Sequence, residues 1–156
     1  MVAKAIPVRK YHCVFNSVSA ISYVRRGIGS SRRLKNKSAT TKIEKLLDYH
    51  EGGPDRAPKF PLPNNYLFLM RYAFVHQDDD LMAQVQLTLK KMAFGGIYDQ
   101  IGGGFARYSV DGIWKVPHFE KMLYDNAQLL SLYAEAYRCW RDPLYRDVVY
   151  QTTAFM

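Results

Sequence analysis

The loop 95–121 gathers more chemically capable side chains than any other part of the sequence. It sets aromatic rings among carboxylate, guanidinium and imidazole groups: Tyr98, Phe105, Tyr108, Trp114 and Phe119 beside Asp99, Arg107, Asp111, His118, Glu120 and Lys121. Aromatic faces stack on the C–H faces of sugar rings, and paired polar groups bind sugar hydroxyls. The loop therefore predicts a sugar-type site with substrate-binding contributions from Tyr98, Asp99, Arg107, Tyr108 and Trp114. The alternative is that these rings pack the loop onto helix ends.

Four side chains after Pro117 form the candidate catalytic set: His118, Glu120, Lys121 and Asp125. In a helix that starts at Pro117, the spacing of His118, Lys121 and Asp125 places them on one face, with Glu120 beside it. A histidine exchanges protons near neutral pH, and a Lys–Asp pair can hold a hydroxyl or carbonyl, so general acid–base chemistry on a polyol is predicted. In the alternative, His118 caps or packs, and Lys121 and Asp125 form an ordinary helix ion pair of ~0.3–0.5 kcal/mol.

A second polar and aromatic block, 52–65, stands just ahead of the first predicted helix, as 95–121 stands ahead of the third. It adds Lys59 and Asn64 to the predicted substrate-binding residues. Helix N-termini and their connecting loops often converge at the mouth of a cavity. We therefore expect the two blocks to emerge on the same side and to line one pocket.

Four helices are needed to position these blocks. Pro61 and Pro63 restart the chain ahead of a helix whose apolar residues include Leu67, Leu69, Met70 and Phe74. The acids 78–80 predict the start of a second helix, which ends at Gly95-Gly96. Pro117 predicts the start of a third, and Asp142-Pro143 that of a fourth. Asp111-Gly112 predicts the tight turn of a small β-hairpin at 104–116.

The two helix pairs resemble each other when the sequence is shifted by 63 positions. Leu69 then falls on Leu132, and Val85 falls on Val148. A helical hairpin that repeats leaves one face to be covered by its neighbours. The sequence thus predicts an all-α fold in which residues 44–156 form two α/α hairpins of a larger helical ring.

The first part of the chain differs in composition. Half of the 22 Lys and Arg residues lie before residue 46, where Glu44 is the only acid, so the +8 charge describes this segment rather than the remainder. We treat residues 1–43 as a basic leader that is disordered or non-native. A nucleic-acid-binding arm and an organelle transit peptide, here mitochondrial, are the alternatives.

No cofactor and no metal is predicted. Gly102-Gly103-Gly104 does not fit the G-x-G-x-x-G pattern of dinucleotide sites, and the four histidines lack the spacing of metal ligands. No apolar run reaches the roughly 18 residues of a membrane span. Membrane and nucleic-acid partners are therefore not expected, whereas a small carbohydrate-type ligand is.

The segments GGPDRAPKFPLPNNYLFLMRY and GGIYDQIGGGFARYSVDGIWKVPHFEKMLYDNAQLL resemble the family of thioredoxin-domain-containing proteins related to spermatogenesis-associated protein 20. The resemblance covers about 50–156. It implies a thioredoxin-like domain upstream, followed by an (α/α)6 toroid similar to N-acylglucosamine 2-epimerases and six-hairpin glycosidases. It also implies a cytoplasmic protein. The leader matches nothing in that family and carries no C-x-x-C pair, so redox activity is not carried over.

Two functions follow as hypotheses. In the first, this region is one wall of a carbohydrate-binding toroid, with epimerase-like or glycosidase-like activity in the full-length protein and none in this piece alone. In the second, it is a non-catalytic scaffold that positions a thioredoxin-like redox domain.

Overall fold

A computed structural model describes residues 40–156 of the chain. Residues 40–44 are helical, and four longer helices follow: α1 (Pro63–His76), α2 (Asp79–Phe94), α3 (Leu123–Trp140) and α4 (Pro143–Phe155). The prediction of an all-α fold is confirmed. The predicted leader falls on residues outside the described range, apart from 40–43, which belong to the first helical turn.

Two helices begin at aspartate caps, as the sequence predicts. The Asp78 carboxylate accepts a hydrogen bond from the Leu81 N–H at 3.0 Å, and Asp142 does the same for the Leu144 N–H at 3.1 Å. Each cap satisfies an N–H that the first turn of a helix leaves free. Pro143 then occupies the first position of α4, where its missing N–H costs nothing.

The helices form two hairpins, α1 with α2 and α3 with α4, and α1 also packs against α3. Asn64 Nδ2 donates to Gln128 Oε1 at 2.9 Å, and Arg71 Nε donates to Glu135 Oε1 at 3.0 Å. Both contacts join residues 64 positions apart, so α1 and α3 run parallel, one residue away from the predicted 63-residue register. Leucine, methionine and tyrosine side chains fill the space between the hairpins: Leu69, Met70, Leu89, Leu132 and Tyr133.

The start of α3 was predicted wrongly. The helix begins at Leu123, because the backbone of 117–121 is taken up by pairing with the loop before it. The His118 N–H donates to the Tyr108 carbonyl at 2.9 Å, and the Arg107 N–H donates to the Glu120 carbonyl at 2.8 Å. His118 and Lys121 therefore precede the helix, and they share no helix face with Asp125.

The predicted hairpin at 104–116 is replaced by isolated bridges. Ser109 bridges Lys59 on one side and Pro117 on the other. The turn is not a two-residue Asp-Gly turn, because Gly112 lacks the positive φ that such a turn requires. Instead the Asp111 carboxylate accepts N–H groups from Ile113, Lys115 and Val116 and organises a wider loop.

The described residues contain neither a membrane-spanning helix nor a metal-binding cluster. Within residues 40–156, no helix is both long and apolar enough to cross a membrane. The same residues hold no group of three or more His, Cys, Asp or Glu side chains that could bind a metal ion.

Candidate functional site

A pocket of about 300 Å³ lies where the segment before α1 meets the first turns of α3. One part of its wall is apolar and the other is polar. The lining residues are Phe60, Pro61, Leu62, Pro63, Asn64, Asn65, Arg107, Asp125, Gln128 and Leu129. Residues 60–65 of the first block and Arg107 of the second thus meet at this pocket, and most of its apolar wall was not among the predicted residues.

Asp125 is the most unusual polar group in the pocket. It lies in the first turn of α3, and its Oδ2 is buried without a hydrogen-bond partner. Burial raises the pKa of Asp125 above its usual value, and the charge of Arg107 opposes that rise only in part. The Arg107 Nε lies 3.9 Å from this Oδ2, beyond hydrogen-bond distance. The carboxylate therefore has a free acceptor facing a cationic neighbour.

Arg107 is shared between two carboxylates. Its Nη1 lies 3.8 Å from Glu120 Oε2, and its backbone N–H donates to the Glu120 carbonyl. The backbone hydrogen bond fixes the position of the Arg107 main chain. The two ion contacts are longer than hydrogen bonds, so the guanidinium N–H groups remain available to donate to a ligand. Arg107 and Asp125 thus lie in the same pocket, without a direct hydrogen bond between them.

Two side-chain amides complete the polar wall. Asn64, next to the start of α1, donates to Gln128 on α3. In this orientation the Asn64 Oδ1 remains as an acceptor and the Gln128 Nε2 as a donor. Gln128 was not among the predicted residues. Its position one turn after Asp125 in α3 is the signal that could have indicated it, once the true helix start was known.

A stack of rings forms the rim. The Phe60 and Tyr108 ring centroids lie 4.8 Å apart, and those of Tyr108 and His118 lie 4.6 Å apart. His118 Nδ1 is 3.9 Å from Glu120 Oε2. His118 and Glu120 are exposed, and neither lines the pocket itself. These two candidate catalytic residues therefore lie beside the pocket rather than in it.

The backbone at Leu62 is strained. This residue is the N-cap of α1 and has φ 45° and ψ 54°, a left-handed conformation that is unfavourable for a branched residue. Its side chain offers no capping oxygen, and Pro63 follows at the first helical position. Strain of this kind often occurs at functional sites, and here it lies in the pocket wall.

Three predicted substrate-binding residues are part of the core. Lys59 and Trp114 are fully buried, and Tyr98 nearly so. Lys59 Nζ donates to the Gly52 carbonyl at 2.7 Å, and Trp114 Nε1 donates to the Glu51 carbonyl at 2.9 Å. The hydroxyl of Tyr98 donates to Gln151 at 2.6 Å. These residues hold loops together, and none of them lines the pocket.

Asp99 and Lys121 bind each other. Lys121 Nζ lies 2.6 Å from Asp99 Oδ2, whereas the sequence predicted a pairing with Asp125. Lys121 also donates to the Gly103 carbonyl at 2.8 Å. The hydrogen bond from Lys121, together with those from the backbone N–H groups of Gly102 and Ile101, holds the pKa of Asp99 well below its usual range. We therefore assign both side chains to loop structure.

This Asp–Lys arrangement occurs twice, a feature that the sequence analysis missed. In DYHEGG (48–53), the Asp48 carboxylate accepts hydrogen bonds from the backbone N–H groups two and three residues later. Lys59 Nζ donates to the same carboxylate and to the Gly52 carbonyl. In DQIGGG (99–104), Asp99, Lys121 and Gly103 repeat each of these bonds. The shared D-x-x-x-G-G pattern was the available signal. We call the two copies the first and second Asp-Gly turns.

Comparison with known proteins gives one consistent result. No protein-family model matches the chain. Spermatogenesis-associated protein 20 from Mus musculus and from Homo sapiens are each 44% identical to it over 134 residues, or 83% of this chain. An uncharacterized protein of Caenorhabditis elegans is 43% identical over 106 residues. These similarities support a relationship to the spermatogenesis-associated protein 20 family.

The extent of the match matters in two ways. The chain spans only 17% of the length of the mouse and human relatives. Residues 44–156 are less than three quarters of the chain, so a match over 83% of it also includes part of the basic leader. The leader is therefore not wholly unmatched, contrary to the expectation from the sequence.

Proposed function

We propose that the pocket between the segment before α1 and the first turns of α3 binds a polyhydroxylated ligand of monosaccharide size. We further propose that the chain supplies one wall of a larger α/α toroid in a longer protein. The observation that carries the first proposal is that Asn64, Arg107, Asp125 and Gln128 line one pocket, where Asp125 Oδ2 has no hydrogen-bond partner.

An unpartnered buried acceptor is costly. Leaving such a group unsatisfied costs about 1–3 kcal/mol, and a native protein usually satisfies it with a partner, a water or a ligand. A sugar hydroxyl is a suitable donor for Asp125. The same hydroxyls can accept from Arg107 and Gln128 Nε2 and donate to Asn64 Oδ1, so a ligand with several adjacent hydroxyls uses the whole polar wall.

The apolar wall fits the other face of such a ligand. Phe60, Pro61 and Leu129 contribute carbon atoms to the pocket lining. A sugar ring has a C–H face that packs on such surfaces and hydroxyls that bind at its edge. The volume of about 300 Å³ lies at the lower end of the range for small-molecule sites and suits one ring rather than a chain of them.

Asp125 is also the group best suited to proton transfer at this site. Its raised pKa brings the carboxylate closer to a range in which it can both accept and release a proton. His118 and Glu120 at the rim are the next candidates. In the full-length protein, this set supports carbohydrate isomerase-like, epimerase-like or glycosidase-like activity, and the mechanism is built on Asp125 rather than on Lys121.

The binding proposal can be tested by NMR titration of this chain with a panel of monosaccharides, amino sugars and polyols. We expect amide shifts centred on Asp125, Arg107 and Gln128. Asp125→Asn replaces a carboxylate with two acceptor oxygens by an amide with one. The affinity for the ligand should therefore fall about tenfold, which equals 1.4 kcal/mol. Asp147→Asn, at an exposed aspartate of α4, is the matched control and should bind as the parent does. The absence of shifts in these residues with every compound, or equal binding by Asp125→Asn, would overturn the proposal.

A further inference from the structure

The two Asp-Gly turns differ in how they are covered. In the first turn, the side chains of Lys59 and Asp48 are 1% and 15% exposed. In the second turn, those of Lys121 and Asp99 are 24% and 37% exposed. The hydrogen bonds within each turn are the same, so the difference arises from what lies on top of them.

A short extended segment covers the first turn. The Lys59 N–H donates to the Ser109 carbonyl at 2.8 Å, and the Ser109 N–H donates back to the Lys59 carbonyl at 2.8 Å. This reciprocal pair is the unit of an antiparallel ladder. The next residues on each side pack as well, because the rings of Phe60 and Tyr108 are in contact. Residues 107–110 thus serve as a strand that closes the first turn.

No described residue pairs with the equivalent edge of the second turn. His118 and Glu120 use their backbone groups to pair inward with 107–110. Phe119, between them, lies at a bend of the chain, and neither Phe119 nor Lys121 takes part in this pairing. Among residues 40–156, neither of these two makes a backbone pair of the kind that joins Lys59 to Ser109. The Phe119 side chain is 87% exposed beside this edge.

We infer that the free edge of 117–121 binds an extended segment by β-pairing at Lys121, and, resting on the proposed place of this chain in a larger α/α toroid, that this segment is the loop of a further helical hairpin. The pairing of Ser109 with Lys59 is the precedent within this chain. The mouse and human relatives, of which the chain spans 17%, have the length to supply such a hairpin.

A second copy of the chain does not fit this edge equally well. The segment that would have to pair is 107–110, and its two edges are already occupied by Lys59 and by 116–118. Supplying it to a neighbour would require opening the first turn, where Lys59 is buried with its charge paired. The incoming strand must therefore be one whose edge is free.

The edge can be tested with a tethered strand. The Phe155 ring centroid lies 4.6 Å from Lys121 Nζ, so a segment attached after Met156 by a flexible Gly-Ser linker starts close to the Lys121 side chain and can reach its backbone. We would attach a second copy of residues 105–117 and measure amide hydrogen exchange by NMR. In the untethered chain, the Lys59 amide should exchange slowly and the Phe119 and Lys121 amides quickly. In the fusion, the high effective concentration of the attached strand should slow hydrogen exchange at the Lys121 amide by about tenfold or more.

Two control fusions distinguish β-pairing from an unspecific effect of an attached tail. One carries Ser109→Pro in the attached copy, which removes the N–H that should donate to Lys121. The other carries a Gly-Ser tail of equal length. Protection of Lys121 by the parent strand, and not by either control, supports the inference. Fast exchange at Lys121 in the parent fusion, or equal protection by a control tail, overturns it. A self-associating parent chain that protects the same amide without any fusion also overturns it.

Discussion

Lys59 Nζ lies 2.6 Å from Asp48 Oδ2 in a site where the lysine is almost entirely shielded from water. Asp48 supplies the opposite charge beside this ammonium group where water is excluded. A buried ion pair is costly to break, because removing one member leaves an uncompensated charge. The pair also joins the segment before α1 to the loop that carries Trp114, whose ring centroid is 5.6 Å from Nζ.

Replacing Lys59 by Met should destabilise the protein strongly. The change leaves the Asp48 carboxylate without its cationic partner and removes the donor to the Gly52 carbonyl. The free energy of unfolding should fall by about 3–5 kcal/mol. The free energy of unfolding from denaturant titration measures it.

Lys121→Met in the second Asp-Gly turn is the matched control. It removes the same two hydrogen bonds, but Asp99 is more exposed and water can replace the ammonium group. We expect a clearly smaller loss. Equal losses for the two variants would show that burial does not distinguish the two turns.

Acid should weaken the first Asp-Gly turn within a defined pH window. Burial alone would raise the pKa of Asp48, but Lys59 and two backbone N–H groups outweigh it and lower the pKa to about 2. The unfolded chain titrates near 3.8. The stability that the carboxylate contributes is therefore complete above 3.8 and is lost as the pH falls toward 2. The difference in unfolding free energy between the parent and Asp48→Asn should narrow across this window, and a constant difference would contradict the assignment.

Asp125 should show the opposite sign. Its pKa is raised in the folded protein, so the folded state holds more protons than the unfolded one just above pH 3.8, and stability falls as the pH rises there. At neutral pH, Asp125→Asn should therefore raise the midpoint of thermal unfolding while it weakens ligand binding. The gain should disappear below pH 3.8. A destabilised Asp125→Asn at neutral pH would mean that the carboxylate is structural.

Gly53 should not tolerate a side chain. It has φ +79°, and a Cβ there would collide with the Trp114 ring. Gly53→Ala should cost at least about 1–3 kcal/mol, from the backbone conformation together with the displaced ring. Gly112→Ala is the control, since nothing lies within 4 Å of its Cβ position. It should change stability by less than about 0.5 kcal/mol. Chemical denaturation followed by tryptophan fluorescence compares the two.

The helices could be predicted because local signals determine their ends. Asp78 and Asp142 cap their helices through hydrogen bonds to residues two or three positions on, and proline or glycine lies close by. The start of α3 could not be predicted in this way. Pro117 suits a first helical turn, but the backbone groups of His118 and Glu120 bind residues some ten positions earlier in the chain. A local sequence pattern does not reveal that these backbone groups pair with another segment instead of forming a helical turn.

The candidate site shows the same division. Residue types alone selected Asn64, Arg107 and Asp125, and the structure brings these three to one pocket. Residue types also selected Lys59, Tyr98 and Trp114, which are buried with specific hydrogen-bond partners, seven positions away for Lys59 and 53 and 63 positions away for Tyr98 and Trp114. A lysine or tryptophan in a polar loop looks the same whether it faces a ligand or a backbone carbonyl. Tertiary pairing decides between the two, and the sequence does not display it.

The closure of the first Asp-Gly turn by Ser109 and Trp114 has a consequence for biosynthesis. The α1–α2 hairpin can form from contiguous chain, but the turn before it stays unfinished until the loop 107–115 has left the ribosome. Until then Lys59 lacks its cover, and Gly53 lacks the ring that packs on it. A nascent chain paused between α2 and α3 would thus present an open edge to chaperones, and the end of that exposure is set by the emergence of residue 114.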